Sequence, residues 1–199
     1  MQVRIAVLAS GGGTNLQAII DFLSARGEDA PGRVVLVAAN RADAPALARA
    51  RAASLPAETF NAGDDGAELI ALLRRYRIDL VVLAGYLKRV PPAATAAYKG
   101  RIINVHPGLL PEFGGAGMYG AKVHSAVIAS KSRTTGVTAH FVDDEYDHGP
   151  VIAQWRVRVN DGDTPETLAA RVLEVEHILY PRVVEMIAAL HSRDFVADF

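Results

Sequence analysis

The chain reads as an α/β protein: an open, mostly parallel twisted sheet with helices on both faces and a mixed C-terminal portion that includes an antiparallel strand. Three observations predict this. Short β-branched apolar runs alternate with helical periodicities through the first hundred residues. The first run opens directly onto three consecutive glycines. After Arg101 two strand-like runs are joined by only a short segment, which suits an antiparallel pair.

Taken in order, Val3–Leu8 is a buried-strand run, and Leu16, Ile19, Ile20 and Leu23 then recur at helical spacing. Val34–Ala39 is a second strand, and the Ala- and Arg-rich stretch Ala44–Ala53 a helix. Glu68–Tyr76 is another helix and Leu80–Leu83 an apolar strand. Strands separated by helices imply parallel pairing through right-handed crossovers. Arg101–Val105 is short and β-branched, so it reads as a further buried strand, ended by Pro107. Thr134–Val142 and Val151–Val159 are the two late strands. The last element runs from about Thr164 to Leu190, with Asp163 or Thr164 as cap and Pro165 in the first turn. Leu168, Val172, Val175, Leu179, Val183 and Ile187 should face the core, and Pro181 should kink or divide this helix.

The 199 residues suffice for one domain with a substantial core, expected over 1–199. No apolar run approaches the roughly 18 residues needed to span a membrane. The start enters a strand pattern without a secretory signal, so a cytoplasmic location is expected. With no cysteine, disulfides, thiolate metal sites and a cysteine nucleophile are excluded. A net charge of −1 speaks against a nucleic-acid partner and leaves small molecules as the default.

Asn104 and His106 lie two apart on a strand, so both point to one face at its C-terminal edge. In open α/β sheets that rim is where ligands bind. A carboxylate from a later loop, Asp147 in Asp147-His148-Gly149-Pro150, would complete a donor, an acid/base and a tuning group. Such a set suits transfer of an acyl-type group to an amine. A histidine at a strand end also serves structural roles, and Asp-His-Gly-Pro is an ordinary turn composition. The loop Ser10-Gly11-Gly12-Gly13-Thr14-Asn15 precedes a helix whose first amides suit a phosphate, or it is a tight turn with no ligand. It lacks both the P-loop Lys and the dinucleotide G-x-G-x-x-G spacing, since position 16 is Leu. His124, His140 and His148 match no compact ligand set, so no metal site is expected. Gly114–Gly120 is a glycine-rich loop that either covers a site or forms a surface turn.

Together, Ser10–Gln17, Leu83-Ala84-Gly85-Tyr86, Asn104–Pro111 and Asp147–Pro150 resemble the phosphoribosylglycinamide formyltransferases of purine biosynthesis, in order and spacing over nearly the whole chain. The Asn-x-His-Pro-x-Leu-Leu-Pro block belongs to the wider folate-dependent formyltransferases, while the N-terminal loop resembles the phosphate loop of the glycinamide ribonucleotide branch. The resemblance implies transfer of the formyl group of 10-formyltetrahydrofolate, a co-substrate, to glycinamide ribonucleotide, without metal, by a monomer or homodimer. It implies a nucleotide-phosphate-binding half at 1–100 and a catalytic and folate-binding half at 101–199, with Asn104, His106 and Asp147 as the catalytic trio. It also implies that Gly13, Thr14 and Asn15 hold the phosphate, that Glu176 meets the ribose hydroxyls, and that Leu87, Lys88, Arg89 and Val90, with Asn104, contact the folate. The chain departs from many members at Leu87-Lys88-Arg89-Val90, in a longer Gly114–Gly120 loop, and in non-basic residues around Ala62. In this reading Asp147 raises the pKa of His106, and imidazolium and neutral amine together give a bell-shaped pH profile. A formyltransferase for another amine, a non-catalytic binding module and, more distantly, a nicotinamide dehydrogenase are the rivals.

Overall fold

The computed structural model describes residues 2–63 and 65–191, so both ends of the expected 1–199 domain lie outside the described residues. Seven strands form one sheet in the order β3-β2-β1-β4-β5-β6-β7. They are β1 Val3–Ala9, β2 Gly32–Ala39, β3 Ala57–Thr59, β4 Leu80–Leu83, β5 Ile102–His106, β6 Thr134–Phe141 and β7 Val151–Arg158. The helices are α1 Thr14–Ser24, α2 Pro45–Ala52, α3 Ala67–Arg75, α4 Pro92–Ala97, α5 Ala121–Ala129 and α6 Pro165–His191. Strands β1 to β5 pair in parallel; β6 and β7 are antiparallel to their neighbours.

Side-chain alternation builds two cores, one on each face. Along β1, Val3, Ile5, Val7 and Ala9 enter one cluster, while Ala6 and Leu8 enter the other. In β2 the alternation slips where the register shifts opposite Ile5 and Ala6. Val34 and Val37 therefore share a face although three residues apart, with Leu36 on the other. In β5, Ile103 and Val105 face the first cluster and Ile102 the second. Asn104 and His106 share the parity of Ile102 and carry that face out to the C-terminal rim.

The strands and helices expected from the sequence are present, with ends moved by one or two residues. Four elements went unread, one of them the short 3-10 helix Gly27–Asp29. β3 has three residues, α4 is a six-residue Ala/Thr turn without apolar periodicity, and α5 follows the glycine-rich loop. Pro181 does not divide the last helix, which runs unbroken for 27 residues. Fully buried Tyr180 and Val184 flank it, and the Tyr180 hydroxyl lies 2.9 Å from the Leu83 carbonyl and 3.1 Å from that of Ile103. Packing thus holds the helix where propensity would break it. Of the residues expected to face the core, Leu168, Val172, Val183 and Ile187 are buried and Val175 and Leu179 partly so. Thr164 and Thr167 exchange hydrogen bonds at the start of α6, so Thr164 is the cap.

Tyr180 pins α6 to the ends of β4 and β5, the two strands that open onto the rim. Tyr180→Phe should cost about 1–2 kcal/mol and lower the melting temperature by roughly 2–8 °C, measured by calorimetry.

Candidate functional site

The β5–β6 ladder builds the centre of the site. Its register sets Asn104 opposite His140 and His106 opposite Thr138. Directly paired side chains stand on one face within reach of each other. Accordingly the Asn104 Nδ2 lies 3.1 Å from His140 Nε2. The other His140 nitrogen, Nδ1, is 2.8 Å from the Phe141 carbonyl and must donate to it. In the neutral ring Nε2 then accepts, which turns the Asn104 amide nitrogen toward His140 and leaves its second hydrogen free.

His106 is 3% exposed. Its Nε2 is 2.7 Å from the Phe113 carbonyl, so Nε2 carries a hydrogen. Nδ1 faces Asp147 Oδ2 at 3.4 Å. The loop that brings Phe113 back is held from β6 and β7. Thr138 Oγ1 donates to the Gly108 carbonyl and accepts the Leu110 amide, and Gln154 Nε2 bonds both Thr138 Oγ1 and the Leu110 carbonyl. Gly108 is required there, because a Cβ would lie 2.9 Å from Val123 and 3.1 Å from His106 Nε2.

Asp147 arrives from the β6–β7 loop with a left-handed backbone, φ 55°. Its Oδ2 accepts the Gly115 amide at 3.1 Å, and its Oδ1 is 3.6 Å from His140 Nε2. Burial pushes this carboxyl up, but the two imidazoles and the Gly115 amide outweigh it and hold it below the ordinary value. For His106 the balance runs the other way. Burial outweighs Asp147 and the Phe113 carbonyl, so the imidazole sits below its ordinary pKa. Asp147 does raise it, as expected, but a ring with so little water around it loses more by desolvation than it gains from a carboxylate 3.4 Å away.

A cleft of about 480 Å³ opens over this group. Leu87, Lys88, Arg89 and Val90 line one side, and Gly115, Met118 and Tyr119 of the glycine-rich loop line another. Arg89 donates to the Asp144 carbonyl, joining the loop after β4 to the loop of Asp147. Asn15 and Glu176 also line the cleft. Asn15 Nδ2 donates to Glu176 Oε2 at 2.5 Å. The Asn15 side chain is thus turned toward α6, with its Oδ1 unpartnered, and Thr14 is exposed. Burial raises Glu176 to about 7, opposed by Asn15.

Gly13 and Thr14 do not line the cleft, although the next residue, Asn15, does; α1 begins there without a side-chain cap or an acidic residue in its first turn. Gly13 has φ 72°, and a Cβ on it would strike Ala46 at 2.9 Å. Arg49 holds the neighbouring Gly12 carbonyl at 2.8 Å. Among the described residues no group of three His, Asp or Glu could hold a metal ion. No described helix is long and apolar enough to cross a membrane.

Sequence reading missed His140 as a partner of Asn104. The signal was there only in part: His140 alternates with Thr138 along a strand, but which residue faces Asn104 depends on a register that no local pattern carries. It also missed His124, buried on α5 at the cleft wall with an unpartnered Nδ1.

The Formyl transferase family matches residues 3–184. The chain is 45% identical over 188 residues to a chloroplastic phosphoribosylglycinamide formyltransferase of Arabidopsis thaliana, covering 91% of this chain and 64% of that protein. It spans 60% of the corresponding Vigna unguiculata protein. The Escherichia coli phosphoribosylglycinamide formyltransferase is 39% identical over 192 residues, covering 94% of this chain and 87% of that protein. The crystal structure of glycinamide ribonucleotide transformylase 1 from Symbiobacterium toebii superposes with a TM-score of 0.85 at 40% identity, covering 94% of this chain and 88% of that one. The chain belongs to the formyl transferase family, and within it to the phosphoribosylglycinamide formyltransferases.

Proposed function

We propose that this chain transfers the formyl group of 10-formyltetrahydrofolate to the amine of glycinamide ribonucleotide, as a cytoplasmic monomer or homodimer. The observation that carries this reading is the convergence on one cleft of Asn104, His106, His140 and Asp147 with Leu87–Val90 on one side and Asn15 and Glu176 on another. The family supplies the chemistry; the geometry suggests how these residues perform it.

The phosphate would rest on the amides and hydroxyl at Gly13, Thr14 and Asn15, where the start of α1 has no internal acid to compete. Glu176, as a carboxylate, would accept the ribose hydroxyls. Leu87–Val90 would flank the folate ring. Attack by the amine forms a bond from its nitrogen to the formyl carbon, and negative charge develops on the formyl oxygen. The free Asn104 amide hydrogen is the neutral donor for that oxygen, a role worth roughly 3 kcal/mol.

His106 would move the proton. With Nε2–H committed to Phe113, only Nδ1 is available, and burial keeps it unprotonated at rest. It takes the proton that the amine loses on attack, directly or through Asp147. The resulting imidazolium is stabilised by Asp147 and also strengthens donation to the oxyanion. It returns the proton to N10 of the folate as the carbon–N10 bond breaks. The proton is conserved, and no covalent enzyme intermediate is needed.

Steady-state formyl transfer should fall by about a hundredfold or more in His106→Ala and in Asp147→Asn. Wild-type rates in both would remove this proton path. In this path amine and imidazole must both be unprotonated, so kcat/KM should rise with pH to a plateau and should not fall again as it would with an imidazolium donor. The His106 ionisation on that rise should lie below the ordinary imidazole value of about 6.5, and Asp147→Asn, which removes the opposing carboxylate, should move it lower still. A His106 ionisation above the ordinary value contradicts the burial argument.

Glu176 gives a stability test. Its folded pKa of about 7 exceeds the ordinary carboxyl value, so the folded state holds the proton longer than the unfolded one. Its burial then costs little in acid and progressively more as pH rises from the ordinary carboxyl range through about 7. Glu176→Gln should match wild type in melting temperature near pH 5 and exceed it above about pH 7, while raising KM for the ribonucleotide. A melting difference independent of pH would show that Glu176 does not titrate in this way.

A further inference from the structure

Ser10 stands where three strand ends meet. It directly follows β1 and is buried. Its amide donates to the Gly85 carbonyl, just past β4, at 3.0 Å. Its hydroxyl donates to Asn40 Oδ1, just past β2, at 2.7 Å, and accepts the Leu87 amide hydrogen at 3.0 Å. The hydroxyl has one hydrogen, and Asn40 Oδ1 can only accept, so donor and acceptor roles are fixed. Neither Ser10 nor Asn40 lines the cleft; Gly85 and Leu87 do. On one side Ser10 opens the loop that leads to Gly13. On the other it anchors the backbone of Leu87, a half-exposed residue that lines the cleft. The far end of that loop is tied by Arg89 to the loop of Asp147.

We propose that Ser10 is a positioning residue that couples occupancy of the phosphate-loop side of the cleft to occupancy of the Leu87–Val90 side. This rests on the formyl-transfer reading, in which the two sides take different substrates. A ligand that orders the Gly11–Asn15 loop also fixes the Ser10 hydroxyl, and with it the Leu87 backbone. The second ligand then meets a wall that has already lost its freedom, and binds more tightly. Reciprocity requires the same factor in the opposite order.

The test is calorimetric titration of tetrahydrofolate, which has no formyl group to give, with and without saturating glycinamide ribonucleotide. Wild type should bind tetrahydrofolate about fivefold or more tightly when the ribonucleotide is present. In Ser10→Ala the factor should fall to about one, with each ligand still binding alone. Ser10→Thr, which keeps the hydroxyl, should restore it. Amide exchange at Leu87 should slow on adding the ribonucleotide in wild type and not in Ser10→Ala. A factor of one in wild type, or an unchanged factor in Ser10→Ala, overturns the proposal. A merely structural Ser10 would lower stability and weaken both ligands while leaving the factor intact. Should Ser10→Ala fail to fold, Asn40→Ala leaves the acceptor for Leu87 but frees the hydroxyl to turn; it must reduce the factor, and an unchanged one overturns the proposal. Wild type that binds neither ligand removes the formyl-transfer reading itself, and the coupling with it.

Discussion

The antiparallel pairing of β6 onto β5 is the constraint on which the site depends. A parallel strand there would need a crossover and would place its side chains in another register. The antiparallel ladder instead sets His140 across from Asn104 and Thr138 across from His106. From those two pairs the rest follows. His140 orients the Asn104 amide. Thr138, with Gln154 from β7, holds the loop whose Phe113 carbonyl fixes the His106 ring. The return from β6 to β7 then carries Asp147 back to the same face. Gly136 and Gly149 show how closely this portion is packed. A Cβ at either would lie within 2.2 Å of a backbone carbonyl oxygen, of Trp155 and of Phe141 respectively.

Burial then decides the electrostatics. His106 and Asp147 are close enough to be an ion pair, yet the structure favours a neutral imidazole beside an ionised carboxylate. The resting group is thus a base with its carboxylate in waiting, not a preformed imidazolium. Such an arrangement avoids a standing buried ion pair, whose desolvation could exceed its attraction. It creates the pair only when substrate supplies the proton. Glu176 obeys the same rule on the opposite wall, where burial beside a single amide donor leaves the carboxyl poised near neutrality.

Much of this was legible in the sequence, because local patterns carry it. The apolar runs of β1, β2 and β4 and the spacing in α6 reflect which face each side chain buries, so the alternation of strands and helices could be read directly. Asn104 and His106 were paired by the two-residue period of a strand. Asp147 was reached through motif resemblance, and its approach to His106 is a tertiary fact. What escaped reading was decided between distant segments. The β5–β6 register that recruits His140 is one case, and the packing of Tyr180 that keeps α6 intact through Pro181 is another. The raising effect of Asp147 on His106 was legible, but the larger effect of burial was not, because a sequence shows the neighbouring charge and not the water that is missing.

The most direct test of this account is the protonation state of His106 in the free protein, read by nitrogen NMR of the imidazole with assignment through His106→Gln. The account predicts a neutral ring at pH 7 with its hydrogen on Nε2, titrating below about 6.5. A ring protonated on both nitrogens at pH 7, or a neutral ring with its hydrogen on Nδ1, would contradict it.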